Sequence, residues 1–118
     1  MKTQLGIIGS GFGMYGLLPA FGQINECDII GICGKNSERM QNACEKFQIS
    51  RFDTWKEMLQ NETLDAVAIS VIPRYQYDIA KTALENDIAV FAEKPLTTSF
   101  ATSQELFRLA KKKACLML

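Results

Sequence analysis

Histidine is absent from all 118 residues, which removes any triad built on imidazole and any zinc site of the mixed cysteine–histidine kind. A general acid or base in this chain must come from Lys, Asp, Glu, Tyr or Cys. Excess charge of one sign is missing as well. The 13 Lys plus Arg balance 13 Asp plus Glu, so no basic field exists to gather nucleic acid or an anionic membrane by counterion release. Cys27, Cys33, Cys44 and Cys115 contain no C-x-x-C pair and read as free thiols of a reducing compartment. The first apolar stretch breaks at Gly6, too soon for a secretory core or a membrane span. A cytoplasmic protein, with no nucleic-acid and no membrane partner, is the expectation.

What is present suits one compact domain: 47% of residues are hydrophobic and 22% charged, with no length for a second domain of ordinary size. Four apolar, β-branched runs punctuate the chain, Leu5–Ile8, Asp28–Cys33, Asp65–Val71 and Ile88–Ala92. They are continuous rather than alternating, as strands buried on both faces are. Helical spacing fills the gaps, with Met40, Ala43, Cys44 and Phe47 after an N-cap at Asn36 or Ser37, and Ile79, Ala80, Ala83 and Leu84 after Pro73. A further helix, capped by Thr98 or Ser99, carries Leu106, Leu109 and Ala110 on one face and ends in Lys111, Lys112 and Lys113, where cations complement the helix dipole. A short strand near Arg51–Asp53 and a brief helix over Trp55, Met58 and Leu59 complete the pattern, and residues 114–118 read as one more long strand, cut short as it starts. Such alternation forces parallel pairing through right-handed crossovers. The expected fold is α/β, a Rossmann-type doubly wound parallel sheet in three αβα layers, one domain over 1–118.

Ligands of such sheets bind beyond the carboxyl ends of the strands. There, directly after the first strand, stand Gly9, Ser10, Gly11, Phe12 and Gly13, in the strand–loop–helix context of a dinucleotide fingerprint. Gly9 permits the tight turn, and Gly11 leaves the pyrophosphate free to approach the amides of the helix start. Met14 occupies the place of the third glycine, so close helix–strand packing has to be arranged differently, with Gly13 substituting in a shifted loop. Pro19 kinks the following helix by denying a bond to the Tyr15 carbonyl. After the second strand come Gly34, Lys35, Asn36, Ser37, Glu38 and Arg39, with no carboxylate at the strand tip to hold a ribose 2′-hydroxyl. Gly34 is expected to leave space for a 2′-phosphate, Lys35 and Arg39 to neutralise it and Ser37 to donate to it, with Glu38 pointing away along the helix. NADP is favoured over NAD.

Glu93, Lys94 and Pro95 follow the fourth long run at once, so Lys94 is delivered to the same edge, with Pro95 fixing the chain direction. A lysine beside a hydrophobic strand end is suited to proton exchange with a substrate hydroxyl. The ordered motifs Gly9–Gly13 with Leu18–Phe21, Leu64–Pro73 and Ala92–Leu96 resemble the Gfo/Idh/MocA family, that of glucose–fructose oxidoreductase and inositol dehydrogenase, over the whole chain. The resemblance implies that Ser70, Val71, Ile72 and Pro73 line the cofactor near the nicotinamide ribose, and that Glu93 and Lys94 belong to the active site, with Lys94 catalytic. Tyr77 stands where the family customarily has histidine, and Leu17 stands where it often does; Tyr77 could still hydrogen-bond within the site. In the family a larger C-terminal domain, absent here, supplies the substrate pocket and commonly the oligomer interface. The expectation is therefore the nucleotide-binding part of an NAD(P)-dependent oxidoreductase acting on a CH–OH group of a sugar, cyclitol or related polyol, a homo-oligomer when intact and inactive as this chain alone. The alternative is a non-catalytic dinucleotide-binding or sensing module.

Overall fold

The computed structural model describes residues 2–61, 63–92, 97–113 and 117. The apolar runs form β1 (Thr3–Ile8), β2 (Cys27–Cys33), β4 (Ala66–Ile69) and β5 (Ala89–Ala92), and the short run forms β3 (Ser50–Phe52). All pair in parallel in the order β3-β2-β1-β4-β5, the doubly wound arrangement expected of the sequence. Of the stretch read as a further strand, Met117 is described, and it pairs in parallel with Val90 of β5; its neighbours lie outside the described residues.

Side chains alternate across a strand, and both faces of this sheet are covered. Ile7, Ile32 and Ala68 face one layer, packed with Met14, Leu17, Leu18 and Met40. Ile8, Val67, Ile69 and Val90 face the other, with Met58, Ile79, Leu84 and Leu106. The first layer belongs to α1 (Leu18–Gly22) and α2 (Glu38–Phe47), the second to α3 (Trp55–Asn61), α4 (Pro73–Glu85) and α5 (Phe100–Lys112). Ile7, Ile32, Val67 and Ile69 are fully buried, which is why the strand sequences run apolar without alternation.

Local chemistry sets the helix boundaries. Ser37 caps α2 by accepting the Met40 N–H at 3.0 Å, and Ser99 caps α5 by accepting that of Thr102 at 3.2 Å; each satisfies an otherwise orphaned amide. Lys111 and Lys112 lie in the last turn of α5, as the dipole argument requires. Before α1 the chain makes a π-helical turn, Gly13–Leu17, and Pro19 sits in the first turn of α1 itself. The proline cannot donate to the Tyr15 carbonyl, and the irregularity expected there is this wider turn just ahead of it.

Candidate functional site: the carboxyl edge of the sheet

Gly9 and its neighbour Ile8 tie the first strand's tip to the chain at Cys33 and at Ser70. The Gly9 N–H donates to the Cys33 carbonyl at 2.9 Å while the Ser70 N–H donates to the Ile8 carbonyl at 2.8 Å. The Gly9 φ of +132° is one that side chains rarely adopt, and a Cβ there would overlap the Ser70 carbonyl oxygen. Glycine is therefore obligatory on two independent grounds. Gly11 is the opposite case: a Cβ on it would meet nothing within 4 Å, so the loop is open at that position. Gly13 is buried, and its missing Cβ would lie 3.3 Å from Ile7 Cγ2. It makes the close helix–strand contact, while Met14, 8% exposed, fills the core beside it. Ser10 is half-buried at the loop and Phe12 is exposed.

The loop after β2 departs from expectation at Gly34. A Cβ there would come within 2.8 Å of Ser10 Cβ and 2.9 Å of Met40 Cε. The space is already filled by Ser10 and Met40; Gly34 lets the glycine loop and the β2 tip touch, and leaves no room for a phosphate at that point. Its backbone is held from β3, its N–H donating to the Phe52 carbonyl at 3.4 Å and its carbonyl accepting from Arg51 Nη1 at 3.0 Å. Arg51 is itself anchored by Asp53 at 2.6 Å. Lys35 is exposed, and Asn36 Oδ1 accepts from Gln41 Nε2 at 3.1 Å. Arg39 reaches across to the glycine-loop helix, where it donates to the Tyr15 hydroxyl at 2.6 Å. Glu38 is exposed on the first turn of α2.

A cleft of about 320 Å³ opens between these loops and α4, lined by Gly9, Ser10, Cys33, Gly34, Trp55, Val71, Tyr75 and Asp78 among others. Burial pushes the Cys33 thiol up to about 11; Arg51 pulls it back, and Asp53 and Glu57 push it further up. A protonated, poorly nucleophilic thiol therefore walls the cleft. The sequence places Trp55 on a helix but marks neither it nor Tyr75 and Asp78 as site residues, since only the packing of α3 and α4 beside the strand tips brings them there. Ile72 and Pro73 lie on the far side with Arg74, Thr97 and Thr98, around a hollow of about 510 Å³. Tyr77 is not brought into the cleft: its hydroxyl donates to Glu105 Oε1 at 2.8 Å and accepts from Lys81 at 3.4 Å, facing α5. Glu93, Lys94 and Pro95 lie outside the described residues. β5 ends at Ala92 in register with Ile69, so the chain reaches that motif from the same edge as Ser70. Among the described residues no group of three or more His, Cys, Asp or Glu is placed to hold a metal, and no helix is long and apolar enough to cross a membrane.

The family model described as "Oxidoreductase family, NAD-binding Rossmann fold", that of Gfo/Idh/MocA, matches residues 3–118. The chain belongs to the Gfo/Idh/MocA oxidoreductase family. It is an NAD(P)-binding Rossmann domain of that family. Among its relatives, a dTDP-3,4-didehydro-2,6-dideoxy-alpha-D-glucose 3-reductase of Saccharopolyspora spinosa is 26% identical over 98% of this chain and 35% of that protein. An inositol 2-dehydrogenase of Salmonella typhimurium is 24% identical over 95% of this chain and 34% of that protein. The chain thus spans about a third of the length of these relatives. Among solved structures, the 3-ketoreductase KijD10 of Actinomadura kijaniata, in complex with NADP and TDP-benzene, superposes with a TM-score of 0.90 at 24% identity, covering 100% of this chain and 37% of that one. Biliverdin reductase of Synechocystis superposes with a TM-score of 0.89 at 23% identity, covering 98% and 36%. These two likenesses are of fold. For a Gfo/Idh/MocA domain the open glycine loop at Gly11 and the obligatory glycine at Gly9 fit the dinucleotide that the family takes.

Proposed function

We propose that this chain is the dinucleotide-binding part of an oxidoreductase that exchanges hydride between NADP, preferred over NAD, and a CH–OH carbon of a sugar, cyclitol or related polyol. The observation that carries the reading is the carboxyl edge itself. There a glycine loop open at Gly11 stands beside a β2–α2 segment that carries two cations, Lys35 after the strand and Arg39 on the first turn of α2, with Glu38 between them. In this reading the amides of the helix start and Gly9–Gly13 take the pyrophosphate, and the cleft that Val71 lines with Cys33 and Trp55 takes the adenosine end, which moves Val71 away from the nicotinamide ribose expected of it. Lys35, Asn36, Ser37 and Arg39 take the 2′-phosphate; with Gly34 closed by Ser10 and Met40, that group would sit outward, over the side chains. Ser70, Ile72 and Pro73 would take the nicotinamide end, with Glu93, Lys94 and Pro95 next in sequence after β5. The bound nicotinamide supplies or accepts the hydride. Lys94 gives or takes the hydroxyl proton, and Glu93 orders its loop. The sugar reductase and inositol dehydrogenase among the relatives support the polyol class.

Replacing Lys35 and Arg39 together by alanine is expected to weaken NADP by at least about tenfold, the loss of two charge-assisted contacts, while NAD binds as before; calorimetric titration reads both. Unchanged NADP affinity would overturn the preference. In the longer polypeptide that the reading implies, Lys94→Ala should lower kcat by about a hundredfold or more, the scale of lost general acid–base catalysis, with NADP affinity little changed. An equal loss in affinity and rate would make Lys94 a binding residue alone.

A further inference from the structure

Arg39 is exposed on the first turn of α2, and a free arginine there would have to be immobilised before it could grip a phosphate. It is not free. Its Nη1 lies 2.6 Å from the Tyr15 hydroxyl, and its guanidinium carbon lies 6.0 Å from the centre of the Tyr15 ring. Tyr15 belongs to the π-helical turn that leaves the glycine loop, where the Tyr15 N–H donates to the Gly11 carbonyl at 3.0 Å. The pair therefore links the loop that would hold the pyrophosphate to the loop that would hold the adenosine ribose. Beside it, Met14, Pro19, Asn42 and Lys46 line a shallow hollow, so no acidic group among these neighbours competes for the guanidinium.

We infer that Tyr15 is a specificity-determining positioning residue: it holds Arg39 extended beside the glycine loop, pre-organised for the 2′-phosphate of NADP. The inference rests on the proposed NADP reading and deepens it. A guanidinium has five N–H donors. Tyr15 occupies one, and the others stay available to a planar, bidentate contact with phosphate oxygens. The gain comes from rotamer freedom already removed before the nucleotide arrives. NAD, which lacks the phosphate, draws nothing from it, so the contribution is confined to NADP.

The test is titration of the chain and of Tyr15→Phe, Arg39→Ala and the double variant with NADP and with NAD. Tyr15→Phe keeps the ring in place and removes only the hydroxyl. It is expected to weaken NADP roughly two- to tenfold, the worth of fixing one long side chain, with NAD affinity and melting temperature unchanged. In the Arg39→Ala background the same substitution should do nothing more. If Arg39→Ala weakens NADP but Tyr15→Phe does not, the positioning role is wrong and the NADP reading survives. If Arg39→Ala leaves NADP binding intact, or neither dinucleotide binds the unsubstituted chain, the NADP reading fails and this inference falls with it. Equal losses for both nucleotides, or a lowered melting temperature, would make Tyr15 a brace between the π-helical turn and α2, and overturn the inference.

Discussion

Cys33 shows how a single residue at the strand tip couples site and stability. Folding lifts its thiol from the ordinary 9.0 to about 11, chiefly through burial. A raised folded value means the native state holds its proton more tightly than the unfolded chain does. The contribution is complete below pH 9.0 and is lost as pH climbs toward about 11, at most about 3 kcal/mol for a shift of that size. Urea denaturation across this window should therefore show a shallower alkaline decline in Cys33→Val than in the parent chain, whatever the variant's absolute stability. Identical slopes would remove the buried-thiol account. The same scale shows where sequence reading reaches its limit. Gly9, Gly11 and Gly13 stand in the strand–loop–helix context their spacing implies, although the contacts that require glycine at Gly9 and Gly13, with Ser70 and Ile7, come from the strands. Gly34 misleads, because its neighbours Ser10 and Met40 come from other elements. Arg51 escapes notice for the same reason, its link to the Gly34 carbonyl crossing 17 residues of sequence.

The ends of elements follow a chemistry that composition hides. α2 closes with Gln48 at φ 55°, its N–H donating to Glu45 at 3.3 Å and that of Ile49 to Cys44 at 3.0 Å. α4 closes the same way at Asp87, φ 61°, with Ile88 donating to Ala83 at 2.9 Å. Both are Schellman closures, which ordinarily place glycine at the left-handed residue. A side chain there is strained, so Gln48→Gly is expected to stabilise the fold by about 0.5–1 kcal/mol, part of the relief being offset by the added freedom of the unfolded chain. Chemical denaturation would show it; a destabilised variant would mean that the Gln48 side chain has a role of its own. Asp87 is a poorer site for the test, because it pairs with Lys113 at 3.3 Å. The strands and the helix N-caps were legible in the sequence, since apolar runs and serine side chains act locally. The stop at Gln48 was not, as no glycine marks it. The π-helical turn before Pro19 was legible only as a kink.

At the scale of the molecule, the glycine loop and the cleft beside it lie along one edge of the sheet. Parallel strands put the Gly9 turn, the β2 tip and the exit from β4 side by side, and α3 and α4 wall the cleft between them. The alternation of strand and helix made that edge predictable, and the ordered motifs made the family predictable. The contribution of Trp55, Tyr75 and Asp78 to the cleft, and the outward turn of Tyr77 toward α5, depend on how helices cross the sheet and have no signature in the linear chain. The proposed function stands on this edge being a dinucleotide site. Calorimetric titration of the chain with NADP and with NAD, alongside Gly9→Ala, tests it most directly. Saturable one-to-one binding, tighter for NADP, is expected, and it should vanish when a methyl group is forced against the Ser70 carbonyl. Absence of binding by either dinucleotide, or binding that Gly9→Ala leaves untouched, would contradict the proposed function.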